Sequence, residues 1–531
     1  MKFLDIVSIR SEEIKFHAED AESNDGEIIL GQPDLLPVPP LPQGPRKWGA
    51  FHLAGYWIAE AFGTQYEVAS SAVAAGLSPG ATIGAILLGH ILVSIACAAN
   101  GWVGAVYGIN FPVYARASFG IRGTSIAVIC RAVAAIAWFG TQTYQGGLCV
   151  QVMLEAIWPF FKTFPNHLPT SAHVTSAQLL CFFIFYIIQL PLLWIHISKL
   201  RYLFLLKIVI MPIFGFTLFG WAVGTAHGFG PVFNKGTVST GSTPVAVLFL
   251  SAMTSAIAPK STLALNIPDF TRYAKSPRTV VWTNIFALTV PVTLCAILGV
   301  VVTSAVEVIY GISTWNPLEV CTLWESRAAA FFAALCWALA AIATNISANS
   351  TAVGNDLMIL FPKFINIRRG QYICAVLGVA ACPWILQNSA NNFVAFLGGY
   401  SIFLGPVAGI LISDCYILRR RRLDIPALYS PGYGQYWRLS RYTAGFNWRA
   451  IVAFTLALLP NLPGFIYKVN TKLHVSVGAV YIFSAVWPVS LCVAGSLYLL
   501  FSYVFPPAIS INNSSSSIQE SLDEKEKVCG I

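Results

Sequence analysis

An all-α polytopic membrane protein with twelve transmembrane helices is the fold class this sequence predicts, and three observations predict it. The 531-residue chain is 56% hydrophobic yet only 10% charged, where a soluble globular chain carries roughly 25% charged residues, and its mean hydropathy is +0.67. Apolar runs such as Ala81 to Asn100, Leu203 to Val223 and Val280 to Val306 approach or exceed the roughly 20 residues that cross a bilayer as a helix. Basic residues gather in every alternate connection, as the positive-inside rule requires. The alternating ten-residue strands of a membrane barrel are missing.

The first 45 or so residues are polar and acidic, with no basic start and apolar stretch of a secretory signal, and are expected to form a disordered cytoplasmic tail. Twelve spans follow, centred near Glu60, Ile91, Ala137, Phe185, Phe214, Ala256, Thr293, Trp337, Val379, Phe403, Leu456 and Pro488. With the N-terminus inside, the cytoplasmic connections hold Arg116 and Arg122; Lys199 and Arg201; Arg272, Lys275 and Arg278; Lys363, Arg368 and Arg369; and Arg419 to Arg422 with Arg438 and Arg441. The opposite connections hold only Lys162, Lys235, Arg327, Lys468 and Lys472. An odd error in the span count would scramble that asymmetry.

The expected organisation is a tail over 1–45, a transport core of spans 1–10 over 46–420, a cytoplasmic loop with spans 11–12 over 421–505, and a Ser-rich, disordered cytoplasmic tail over 506–531. Lys525 and Lys527 in that last tail are candidate sites for ubiquitin-dependent turnover. The net charge of +9 is a matter of loop placement and does not point to nucleic acid. The 12 Cys show no metal-ligand spacing and read as small buried hydrophobes. No HExxH motif occurs and the 8 His are scattered, so an enzyme is the weakest of the functional readings.

Polar groups interrupt the apolar spans at matched places. Span one carries Glu60 and then Gly63, Thr64 and Gln65, and span six carries Pro259, Lys260, Ser261 and Thr262. Both are expected unwinding points, and spans one and six hold the same position in two five-helix halves. That is the pointer to an inverted-repeat transporter with its site near the bilayer midplane; the plainer alternative is a pair of kinks solvated by neighbouring helices. Glu60, Lys260 and Asp356 are ionisable groups in or near apolar spans, where a charge costs at least about 2.5 kcal/mol and marks a pathway, relay or pair. Arg131 is expected to snorkel to the cytoplasmic boundary. On span three Trp138 and Gln142 are four apart and share a face; on span eight so do Asn345 and Asn349, with Thr344 beside the first. An indole face with nearby amides suits a small, flat, amide-rich molecule.

The stretches QPDLLPVPP (Gln32 to Pro40) with Trp48, FPVYARASFGIRG (Phe111 to Gly123), WFGTQ (Trp138 to Gln142), LNIPDFTRYAK (Leu265 to Lys275) and NISANS with Asn355 and Asp356 resemble the nucleobase-cation-symport family 1, in particular its fungal uracil, allantoin and uric acid permeases. The resemblance implies a LeuT-like five-plus-five inverted repeat with two extra C-terminal helices. It implies that Trp138 stacks on the substrate ring, that Gln142 and Asn349 bind its edge, and that Phe393 lies at a gate influencing specificity. Prokaryotic relatives carry a second aromatic where Lys260 falls. A cation there favours carbonyl-rich rings and repels cationic substrates such as thiamine or nicotinamide riboside. Sodium-coupled relatives use two hydroxyls on span eight, and the corresponding positions here are Ala340, Ala343 and Thr344, so one hydroxyl is missing. The expectation is therefore a proton-coupled importer at the plasma membrane with both termini cytoplasmic, sodium being the less favoured ion, no cofactor, and Glu60, Thr344 and Asp356 as candidate coupling residues. A thiamine, nucleoside or nicotinamide riboside carrier, a nutrient sensor that does not transport, and a passive channel are the alternatives.

Overall fold

A computed structural model describes residues 35–39, 46–61, 64–74, 76–195, 200–231, 243–312, 317–387, 390–429, 445–470 and 472–507. Among them the regular structure is helical, with one isolated bridge in which Trp48 pairs with Ala274. The helices begin where the sequence supplies caps. Ser78 accepts from the Ala81 amide ahead of Pro79, and Thr175 and Gln178 form a reciprocal capping box. The helix Pro79–Tyr107 ends on Gly108, which adopts φ 72°, a left-handed turn that glycine makes without strain.

The first span is two short helices, α1 (Ala50–Ala61) and α2 (Thr64–Ala74); residues 62–63, where the break was expected, lie outside the described residues. Then come α3 (Pro79–Tyr107), α4 (Phe111–Phe119), α5 (Thr124–Ile157), α6 (Ser176–Gln189), α7 (Leu200–Thr225), α8 (Val245–Thr271) and α9 (Pro277–Tyr310). The eighth span runs from α10 (Arg327–Thr344) through a π-helical turn, Asn345–Ser350, into α11 (Thr351–Leu360). The remainder comprises α12 (Ile367–Ala380), α13 (Ala390–Ile412), the bent pair α14 (Trp448–Leu458) and α15 (Leu462–Val469), and α16 (Val486–Val504).

Two groups of helices make the core. In one, α1, α2, α3, α8 and α9 pack together; in the other, α5 gathers α6, α10, α11 and α12. Each group joins the first pair of spans, or the third and fourth, to its counterpart five helices later, as an inverted repeat demands. The helix α7 lies against α1, α9 and α10, while α13, α14 and α16 pack as a C-terminal unit. Small residues permit close approach: a Cβ on Gly147 would sit 2.7 Å from Phe182 Cα.

Among the described residues, nine helices are long and apolar enough to cross a membrane, or ten if α14 and α15 form one span bent by 51°; the first of the twelve expected spans is divided at residues 62–63, outside the described residues. Two expectations need amendment. Span six does not unwind at Pro259, because α8 continues through it. Ser261 Oγ donates to the Ala258 carbonyl at 2.7 Å and Thr262 Oγ1 to that of Pro259 at 3.3 Å, so both hydroxyls are spent on their own helix. Finally, residues 35–39, counted with the N-terminal tail, pack on the core: Leu35 and Val38 are buried, Tyr429 Oη donates to the Leu35 carbonyl at 2.7 Å, and Arg46 Nε donates to that of Val38 at 2.9 Å. The C-terminal residues 508–531, with Lys525 and Lys527, lie outside the described residues.

Candidate functional site

One interior cavity lies between the two helix groups, and six of the residues singled out in the sequence line it: Glu60, Trp138, Gln142, Lys260, Thr344 and Asn349. The spacing of four puts Trp138 and Gln142 on one face of α5. Trp138 is buried and meets Phe396 and Tyr400 of α13 edge-on, with ring centroids 5.5 and 6.2 Å away. Asn349 belongs to the π-helical turn, in which the Thr351 amide donates to the Ile346 carbonyl five residues back. Such turns recur at functional sites.

At one wall three ionisable groups meet. Lys207 Nζ, from α7, donates to Thr344 Oγ1 at 2.7 Å and to Glu60 Oε1 at 3.4 Å, and Thr344 Oγ1 lies 3.2 Å from Glu60 Oε1. Lys260 Nζ donates to the Glu60 backbone carbonyl at 2.7 Å. All three charged side chains are buried, with Lys207 at 4% exposure and Lys260 at 3%. The sequence analysis missed Lys207, although a lone lysine in the apolar run LRYLFLLKIVIMP was a visible signal.

Asp356 and Asn345 do not line this cavity. Asp356 is fully buried and ion-paired with Arg131 through Nη2 and, at 2.8 Å, Nε; Arg131 Nη1 also reaches Asp269 of α8 at 3.2 Å. Arg131 therefore does not snorkel. It is 0% exposed, lies over the Phe111 ring at 4.2 Å, and ties α5 to α8 and α11. Asn345, expected at the ligand, is 0% exposed. Its Nδ2 donates to the Phe139 carbonyl, Thr143 Oγ1 and Gln189 Oε1 at 3.3, 3.1 and 3.1 Å, and its Oδ1 accepts from Asn349 Nδ2 at 2.8 Å. Four protein partners satisfy its amide. Phe393 falls in α13, but its side chain lies outside the described residues; the aromatics that reach Trp138 from that helix are Phe396 and Tyr400. Gln145 and Cys149, a further turn along α5, also line the cavity.

The arrangement offers an indole, two amides and an ammonium to a flat polar ring, next to a buried carboxylate paired with Lys207.

A family model described as a permease for cytosine/purines, uracil, thiamine and allantoin matches residues 40–490. The allantoin permease of Saccharomyces cerevisiae is 32% identical over 500 residues, covering 92% of this chain and 78% of that protein. The uracil permease of the same yeast is 33% identical, covering 90% and 77%. Among solved structures, the fold matches Mhp1, a nucleobase-cation-symport-1 family transporter, in a closed conformation with bromovinylhydantoin bound: TM-score 0.71, 24% identity, covering 92% of this chain and 98% of that one. By the extent of these matches, this chain is a multi-pass membrane transporter of the nucleobase-cation-symport family 1, the permeases for cytosine/purines, uracil, thiamine and allantoin.

Proposed function

We propose that the protein imports uracil, allantoin or urate across the plasma membrane, in symport with protons, by alternating access. The observation that carries the reading is the convergence of Trp138, Gln142, Lys260 and Asn349 on one cavity. The indole supplies a stacking face, the amides pair with a ring edge, and the ammonium donates to a ring carbonyl while opposing cationic substrates. The two yeast relatives named above carry allantoin and uracil in their names, which agrees with that chemistry.

Coupling to protons is favoured by the wall of charges. Lys207 Nζ bonds the Thr344 hydroxyl and Lys260 Nζ the Glu60 carbonyl, so fixed ammonium groups already engage oxygens of spans one and eight that a sodium ion would need. One lysine pairs with the Glu60 carboxylate and the other with its backbone carbonyl. Gain or loss of one proton changes the net charge buried between the helix groups, which shifts the balance between conformations that hydrate the cluster differently. Asp356, locked to Arg131, is assigned a structural part. The alternation of loop charges supports cytoplasmic termini, and we propose ubiquitin-dependent turnover at the tails.

The test is uptake of radiolabelled uracil in cells lacking their own permeases, with unlabelled allantoin, urate, xanthine, thiamine and uridine as competitors. Saturable uptake inhibited by the oxo-heterocycles and indifferent to thiamine supports the reading. Uptake of thiamine or uridine in place of uracil contradicts the account of the site, and binding without uptake makes the protein a sensor.

A further inference from the structure

We infer that Asn345 is a positioning residue: by fixing the amide of Asn349 with its oxygen toward the cavity, it makes a ring N–H obligatory in the substrate. This rests on the reading that the cavity holds the substrate ring.

The polarity of the network is fixed at one end by a group that cannot reverse. The Phe139 carbonyl only accepts, and Thr143 Oγ1 lies 2.7 Å from it, so the single hydroxyl proton of Thr143 is committed there. Toward Gln189 and Asn345 the Thr143 oxygen can then only accept. Gln189 must turn Nε2 to it, at 2.8 Å, which leaves Gln189 Oε1 facing Asn345. Asn345 meets three acceptors on that side, the Phe139 carbonyl, Thr143 Oγ1 and Gln189 Oε1. Its nitrogen belongs there and its oxygen faces the other way. Asn349 consequently gives Nδ2 to Asn345 Oδ1 at 2.8 Å. Reversing Asn349 would set two carbonyl oxygens against each other.

Thr143, Gln189 and Asn345 are each 0% exposed, so water does not relax the constraint, and a chain of polarised hydrogen bonds in a low-dielectric interior holds its direction firmly. The end of Asn349 left for the cavity is the acceptor Oδ1. Lys260, across the cavity, can only donate. One acceptor and one donor at different points match a ring in which N–H stands beside C=O. A ligand lacking that N–H would bury the Asn349 oxygen without a partner.

The experiment measures inhibition constants of uracil, 1-methyluracil and 3-methyluracil against labelled uracil uptake, in the wild type and in Asn345→Ala. In the wild type at least one N-methyl compound should bind roughly tenfold or more weakly than uracil, the scale of one unmatched buried acceptor. In Asn345→Ala the Asn349 amide can rotate, and that gap should fall to a small factor. A purely structural role would lower surface amount and rate for all ligands alike and leave the ratio untouched. If Asn345→Ala does not reach the membrane, Thr143→Val carries the test: without the hydroxyl oxygen Gln189 is free to turn Nε2 toward Asn345, only the Phe139 carbonyl at 3.3 Å still faces the Asn345 nitrogen, and the gap should narrow. Both N-methyl compounds competing as well as uracil, or a gap unchanged in the variants, overturns the inference while the transport reading stands. Failure of uracil to enter or compete at all overturns both.

Discussion

Lys207 Nζ lies 2.7 Å from Thr344 Oγ1, a fixed ammonium from the fifth span set against a hydroxyl of the eighth. Glu60 Oε1 completes the triangle, 3.4 Å from the lysine and 3.2 Å from the threonine. The contact joins α7 to the cavity wall, and on it the coupling proposal depends.

Glu60→Gln removes the carboxylate that pairs with Lys207. Uptake by the wild type should rise as the external medium is made more acidic, and the variant should lose most of that slope while still binding substrate. Initial rates across the mildly acidic to neutral range decide it; a retained slope moves the coupling group elsewhere.

Trp138→Ala should weaken uptake by about tenfold or more, because the stacking face is lost along with edge contacts worth about 0.5 to 1.5 kcal/mol for each aromatic pair. Surface biotinylation should find normal amounts of protein. A variant absent from the surface would make the indole part of the packing instead.

Lys260→Gln retains a donor but removes the charge. Uptake of the neutral oxo-heterocycles should fall while exclusion of thiamine relaxes, measured as the ratio of the two competition constants. An unchanged ratio contradicts the part given to the ammonium.

Arg131→Ala leaves Asp356 and Asp269 buried without their cation, a loss of about 3 to 5 kcal/mol. The purified variant should unfold at markedly lower temperature. Adding Asp356→Ala should cost less than the sum of the two single changes, since the pair acts as one unit.

Gly147→Ala places a Cβ 2.7 Å from Phe182 Cα, where α5 meets α6. Overpacking of this kind costs roughly 1 to 3 kcal/mol, and thermal unfolding in detergent should show it.

Trp138, Gln142, Lys260, Asn349, Glu60 and Thr344 were legible in the sequence because polar and ionisable groups in an apolar span need a partner, and helical spacing says which of them share a face. What spacing does not say is which neighbour the face meets. Asn345 and Asn349 read alike, yet the π-helical turn and the side chains of Gln189 and Thr143 send the first into the protein and the second to the cavity. Arg131 resembled a boundary residue because its partners, Asp269 and Asp356, are 138 and 225 residues away. Pro259 looked like a break, yet the helix Val245–Thr271 runs through it. The helical class followed from composition and span length alone, whereas the grouping of the first, second, sixth and seventh spans against the third, fourth, eighth and ninth depends on packing between distant segments.

The most direct test of the central claim is accumulation of labelled uracil by the purified full chain in sodium-free lipid vesicles with an imposed pH gradient, acid outside. The account predicts transient accumulation above equilibrium that a protonophore abolishes. Uptake that ignores the proton gradient and requires sodium, or equilibration with no accumulation, would contradict it.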